Sequence, residues 1–332
     1  MATIQKVSGI DFANISKFDG VDISAVGSIN FIGKPATGNL LLDTSYGSGA
    51  EAAYSVRKLR TAYTGAAIQV QATTGGATAE IGFDVDNNLD TATLLAFAGT
   101  NEVGVSIWYD QSTNGNNATQ ISVAQRPIVV AAGGALVEDN GKMALDFDGS
   151  NDGFYSSGVS LTGSMDVFIL SHKESTTRQA WFAFDAATNI NYYRQEGGTV
   201  TPRIYASFNQ GLFNFNFLSP NYQTQILNNL SGTNGAQEVF FDGVSVHTSN
   251  ATFSNPGLSG LHLGIQSNGA NEFNGKYQEF ILYDTVKSST NRTSIEENIG
   301  DYYTQNTPLL DTYSGAAAAP EYVSSSGVFW VK

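Results

Sequence analysis

The stretch Ser106–Gln120, SIWYDQSTNGNNATQ, decides how the rest of the chain is read. Val103, Val105 and Ile107 alternate with Gly104 and Ser106, the period of a half-buried strand. Trp108 and Tyr109 place two large aromatics at the strand end, and Asp110–Gln120 is almost entirely small and polar. Asn114-Gly115 is a tight-turn signal. A carboxylate that closes a buried strand needs hydrogen-bond donors. Asp110, Gln111 and Asn114 are therefore expected to brace the loop against the strand. The sharper alternative makes Asp110 part of a polar site on a sandwich rim.

Around this stretch lie 332 residues without cysteine, carrying 16 basic and 30 acidic side chains for a net charge of -14. The length suits one large β domain with appendages, or two domains. Abundant Gly, Asn, Thr and aromatics, with only 14% charged residues, favour many short strands over helices. The acidic balance argues against nucleic acid, whose phosphates require a basic face. No run of about 18 apolar residues exists, so no membrane span is expected. Met1–Lys6 leads into no apolar signal-peptide core. The lack of cysteine removes disulfides and thiolate metal sites.

Three regions are expected. Residues 1–38 form an N-terminal β-repeat anchor and linker: Lys6-Val7-Ser8-Gly9-Ile10-Asp11-Phe12 returns eleven positions on as Lys17-Phe18-Asp19-Gly20-Val21-Asp22-Ile23. Residues 39–305 carry many short strands with frequent turn signals, which predicts an antiparallel jelly-roll sandwich with a few short helices. Glu51–Tyr63 reads as one of those helices, with Ala52, Val56, Leu59 and Tyr63 on its apolar face and Arg57, Lys58 and Arg60 outward. Asp90 should cap a second helix, Thr91–Phe97, and Ser289–Tyr303 reads as a third. Residues 306–332 form a C-terminal extension, in which Leu309-Leu310-Asp311-Thr312 echoes Leu41-Leu42-Asp43-Thr44.

Among site candidates, Asp84, Asp86 and Asp90 space their oxygens somewhat like a calcium loop, without its central glycine or closing glutamate. Asp148, Asn151 and Asp152 make a second acidic turn, so a structural calcium is the one cofactor considered. His172, His247 and His262 are scattered and indicate neither a triad nor a zinc cluster. Tyr205, Asn209, Asn216 and Tyr222 combine aromatics with amides, a set suited to stacking on and hydrogen-bonding a sugar. Phe213, Phe215 and Phe217, between them, read more simply as one core-facing strand.

Several blocks together resemble a known family: Ala53–Arg60, Tyr63–Ile68, Ile81–Asp84, Leu89-Asp90, Trp108–Ser112 with Asn114-Gly115, and Ala118–Gln120. They are similar to the catalytic domain of family 54 α-L-arabinofuranosidases, and more closely to arabinofuranosidase-like, laminin-G/concanavalin A-like domains of phage virion proteins. Leu145–Asp152 and Lys276–Tyr283 look like the recurring strands of that sandwich. In the enzymes, the resemblance implies a nucleophilic glutamate near Phe184–Asn189 and an aspartate general acid just after Leu263-Gly264-Ile265. Neither place carries the required carboxylate, which leaves Asp185, Glu196 and Glu272 as substitutes. The expectation is therefore a non-enzymatic phage virion structural protein, a capsid decoration, head-fibre or tail-associated protein. It would contact other virion proteins, or copies of itself, through residues 4–33 and 309–332, and would display a sandwich that binds surface glycans. Its place would be the virion surface, or else the extracellular space. The alternative is an arabinofuranosidase-like glycoside hydrolase.

Overall fold

The computed structural model describes residues 40–303, apart from 163, 176, 186–190, 197–202, 209–210, 216–224, 234–235 and 251–257, and four two-residue strands before them. The chain divides into two compact units, Met1–Asn39 and Leu40–Lys332. In the first, Lys6–Val7 pairs antiparallel with Ile10–Asp11, and Lys17–Phe18 with Val21–Asp22. Lys6 lies opposite Asp11 and Lys17 opposite Asp22, so each copy of the repeat is one minimal hairpin.

The second unit is an antiparallel β-sandwich. In one layer, the long strand Asn274–Tyr283 pairs on one side with Ser164–Lys173 and on the other with Ala52–Ser55 and Leu145–Asp148. That layer continues from Ser164–Lys173 through Gln225–Thr233, Ala236–Phe241 and Val244–Ser249. The other layer begins with Thr78–Ile81, Ile68–Ala72, Val103–Trp108 and Ala118–Thr119. It proceeds through Phe154–Leu161, Leu258–Leu263 and Gln179–Phe184 to Asn191–Glu196, Arg203–Phe208 and Gly211–Phe215. Aromatic rings join the two layers: Tyr54 lies 5.7 Å from Trp108, Phe147 6.0 Å from Phe154, and Phe182 5.6 Å from Phe280.

The helix expected over Glu51–Tyr63 is absent. Ala52–Ser55 is a fully buried strand against Asn274–Tyr283, which demands apolar side chains on both faces and so blurs the strand period. After it, Gln111 takes the backbone groups that a helix would have used. Its side chain accepts from Leu59 N–H (2.8 Å) and donates to the carbonyls of Ser55 (3.1 Å) and Arg57 (2.9 Å). Arg57, expected to face outward, is buried and forked onto Glu279, with Nε–Oε2 at 2.8 Å and Nη2–Oε1 at 2.9 Å. The other two helices form as Thr91–Ala98, capped by the Asp90 carboxylate on Thr93 N–H, and Ser289–Tyr303.

The C-terminal helix packs over buried acids. Burial pushes Glu296 up to about 7, with Arg292 opposing, and pushes Asp166 up to about 6 against donors from Asn229 and Lys287 N–H. Both carboxyls ionise more easily in the unfolded chain. Their stabilising contribution is whole below the ordinary carboxylate range and is lost as pH rises through about 6 to 7. Self-repulsion from a net charge of -14 acts in the same direction. Urea unfolding should therefore give a higher midpoint near pH 5 than near pH 8, and Glu296→Gln should narrow the gap. Equal midpoints would contradict this reading.

Candidate functional site

The loop after Trp108 is held by Asp110. Its Oδ1 accepts from Ala53 N–H and Ser112 N–H, both at 2.8 Å; its Oδ2 accepts from Asn116 N–H at 2.8 Å and Ser112 Oγ at 2.6 Å. Four donors on one buried carboxylate fix the whole turn. The turn in turn presents two amides to Glu51: Asn114 Nδ2 lies 3.1 Å from Oε2, and Asn116 Nδ2 lies 3.1 Å from Oε1. Glu51 also receives Ser160 N–H at 3.4 Å. Asp110 thus sets the position of Glu51, a residue that the sequence pattern had placed at the start of a helix.

Beside Glu51 the pairing of Phe154–Leu161 with Leu258–Leu263 is broken. Ser156 pairs with Leu261 and Ser160 with Ser259, so three residues face the single Gly260. Such bulges re-aim side chains, often beside active sites. Gly260 has φ +62°, and a Cβ there would fall 2.1 Å from Asp185 Oδ2. Gly158, opposite, leaves room in the same way for Asn116 Oδ1, which a Cβ would meet at 2.3 Å.

Asp185 occupies the space that Gly260 leaves. It follows Gln179–Phe184, and its N–H is bound by the Ser259 carbonyl at 2.9 Å. Oδ2 accepts from Tyr155 Oη–H at 2.8 Å, and Oδ1 lies 2.8 Å from His262 Nε2. The Tyr155 and His262 rings are 4.6 Å apart and tilted by 40°. The hydrogen bond to Asp185, then burial, holds the Tyr155 phenol above its ordinary range, so it stays a donor at neutral pH. The Asp185 side chain is 45% exposed. Asp185 and Glu51 flank Leu258–Leu263 from opposite sides. Two strand spacings, on the order of 10 Å, separate the backbone of Asp185 from that of Ser160, where Glu51 is held.

The remaining candidates fall elsewhere. Ala180 N–H binds the Asn271 carbonyl, so Glu272 lies at the end of Gln179–Phe184 opposite Asp185. Glu196 also belongs to that far end, since Gln195 pairs with Gln179. Strand length of roughly 3.3 Å per residue keeps both from pairing with Asp185. The place after Ile265 is taken by Gln266, a buried amide. Asp84 is occupied by its own loop, accepting from Asp86 N–H (2.9 Å) and Asn88 N–H (2.8 Å), while Asp90 caps a helix. Among the described residues, no group of three or more His, Asp or Glu stands ready to hold a metal ion. Tyr205 sits in Arg203–Phe208 opposite Arg194 and Asn214, and Asn209, Asn216 and Tyr222 lie outside the described residues, as do 309–332.

No family model matches the sequence, and no curated protein does. Solved structures do match by shape. An arabinofuranosidase complexed with arabinofuranosyl-α-1,2-xylobiose superposes with a TM-score of 0.60 at 18% identity, covering 75% of this chain and 62% of that one. A variant of a family 54 α-L-arabinofuranosidase soaked with 4-nitrophenyl α-L-arabinofuranoside gives the same values. A family 54 α-L-arabinofuranosidase structure soaked with a cyclic sulfate inhibitor matches at 19% identity with a TM-score of 0.60. The chain shares the β-sandwich fold of these structures. It spans 62% of the length of these structures, less than two thirds.

These likenesses correct the expectation of a non-enzymatic phage virion protein: the structures that share the sandwich are glycoside hydrolases. They lend no support to a virion, a capsid or virion partners. Of the three substitutes named from the sequence, Asp185 alone lies at the bulge, and the fold brings Glu51 to the same bulge from a segment far away in sequence.

Proposed function

We propose that the chain is a glycoside hydrolase of the arabinofuranosidase kind, acting at the bulge between Phe154–Leu161 and Leu258–Leu263. The observation that carries this reading is the pair of carboxyl groups, Asp185 and Glu51, set on either side of that bulge on a fold shared with arabinofuranosidases. Glycoside hydrolysis needs two carboxyls, one delivering a proton to the leaving oxygen and one acting as nucleophile or base. We assign the second role to Asp185, which Tyr155 and His262 hold in place, and proton delivery to Glu51. Tyr155 and His262 position Asp185 and offer ring faces to a sugar. An extracellular polysaccharide bearing arabinofuranosyl groups would be the substrate.

The test is release of 4-nitrophenol from 4-nitrophenyl α-L-arabinofuranoside. Turnover is expected; its absence across a panel of aryl furanosides and pyranosides would overturn the reading. Role assignment has its own check. 4-Nitrophenolate departs with little help from an acid, so Glu51→Gln should lose much more rate on an alkyl arabinofuranoside than on the nitrophenyl one, by about 10²-fold or more. Equal losses on both would show that Glu51 is not the proton donor.

A further inference from the structure

The hydrogen-bonding register of the outer layer aligns one side chain from each of seven adjacent strands: Glu80, Gln69, Ile107, Thr119, Tyr155, His262 and Ala183. Residues directly opposite each other on neighbouring strands share a face. This row therefore crosses the sheet at right angles to its strands, on the side away from the aromatic core, and it ends beside Asp185. From Glu80 to His262 it extends about 24 Å, five strand spacings.

The row is mostly polar, with Ile107 and the buried Ala183 as its apolar members, and almost uncharged. Gln69 Nε2 donates to Glu80 Oε1 at 2.8 Å, and Tyr109 Oη–H donates to the same oxygen at 3.0 Å. Gln69 Oε1 accepts from Ser106 Oγ at 2.9 Å, which fixes the amide plane. Thr119 Oγ1 donates to the Tyr155 carbonyl at 3.2 Å, and Tyr155 then lies 37% exposed next to His262. Fixed amides, hydroxyls and exposed rings in a line are the chemistry that recognises successive sugar rings. The carboxylates here are Glu80 and, at the end, Asp185 and Glu51, with no lysine or arginine in the row itself. Beside it, Arg126 is engaged by the Gln71 amide oxygen and the Gln120 carbonyl, which leaves the balance of the row acidic and unfavourable to an acidic polysaccharide.

We propose that this row is a track for an extended, uncharged glycan chain lying across the strands, with its reacting end at Asp185. The proposal rests on the hydrolase reading for what happens at that end, but the binding surface stands apart from the chemistry. The test uses the full chain carrying Asp185→Asn, so that no substrate is consumed, and titrates arabinotriose and longer arabino-oligosaccharides by calorimetry. Affinity is expected to rise with chain length, and the added changes Gln69→Ala and Glu80→Ala should weaken binding of the longest oligosaccharide about 5- to 10-fold, with thermal unfolding as the control for folding. In the otherwise native chain, the same two changes should leave turnover of the nitrophenyl monosaccharide unaltered. Affinity that does not grow with length, or that is indifferent to Gln69 and Glu80, overturns the track even if the chain hydrolyses aryl glycosides. Length-dependent binding by a chain that hydrolyses nothing keeps the track and removes the hydrolase reading.

Discussion

Arg57→Met is expected to cost about 3–5 kcal/mol of unfolding free energy, the range for breaking one side of a buried ion pair. Glu279 is fully buried in Asn274–Tyr283, and its carboxylate is met by the fork of Arg57 and by Ser55 Oγ at 2.7 Å. The guanidinium also stacks on Tyr302 and Tyr303 of the C-terminal helix, 4.9 and 5.7 Å from their ring centres. Burial opposes the charge of Arg57, but attraction and hydrogen bonding to Glu279 together hold the arginine above its already high range. Removing Arg57 alone strands a charge in the core, whereas Arg57→Met with Glu279→Met removes both desolvation costs and should recover most of the loss. Urea unfolding of the two variants checks this. A single variant within 1 kcal/mol of the native chain would mean that water or another cation reaches Glu279.

Asp185→Asn is expected to lower kcat about 10²- to 10⁴-fold, the scale of a positioned proton-transfer group or more for a nucleophile. Asparagine is nearly isosteric: its oxygen serves one of the two partners, and its NH2 can donate to the other, once the Tyr155 hydroxyl rotates its proton or the His262 imidazole changes tautomer. The unfolding midpoint should therefore move by little, within about 0.5 kcal/mol as at other surface sites. The separation of the two readouts matters. A brace such as Asp110, with four donors in the interior, would lose stability and activity together. Steady-state kinetics beside thermal unfolding distinguishes the two. Full activity in Asp185→Asn would remove it from the chemistry.

Much of the sandwich is legible in the sequence because its strands are short, alternating and bounded by turn residues. Phe154–Leu161 alternates buried and exposed positions on either side of its bulge, and the Asp242-Gly243 hairpin forms with positive φ at both residues. Ser289–Tyr303 shows its buried face at Ile295, Ile299 and Tyr303. Ala52–Ser55 misleads because a strand buried on both faces has no polar side to display, and the spacing of Val56, Leu59 and Tyr63 beyond it mimics a helix. The site is less legible than the fold. Its members are brought together by pairing: Tyr155 reaches Asp185 across 30 positions and His262 across 77, and Glu51 meets Ser160 across 109. No spacing rule connects such residues. The one local signal was Asp110 with its turn, and its effect is exerted through Asn114 and Asn116 on Glu51, not on a ligand directly.

The most direct measurement of the central claim is chemical rescue at Asp185. Native chain is predicted to hydrolyse 4-nitrophenyl α-L-arabinofuranoside, the folded Asp185→Ala chain to be inactive, and added formate to restore turnover by placing a carboxylate in the vacated space above Gly260. Undiminished hydrolysis by Asp185→Ala, or no hydrolysis by the native chain, would contradict the account.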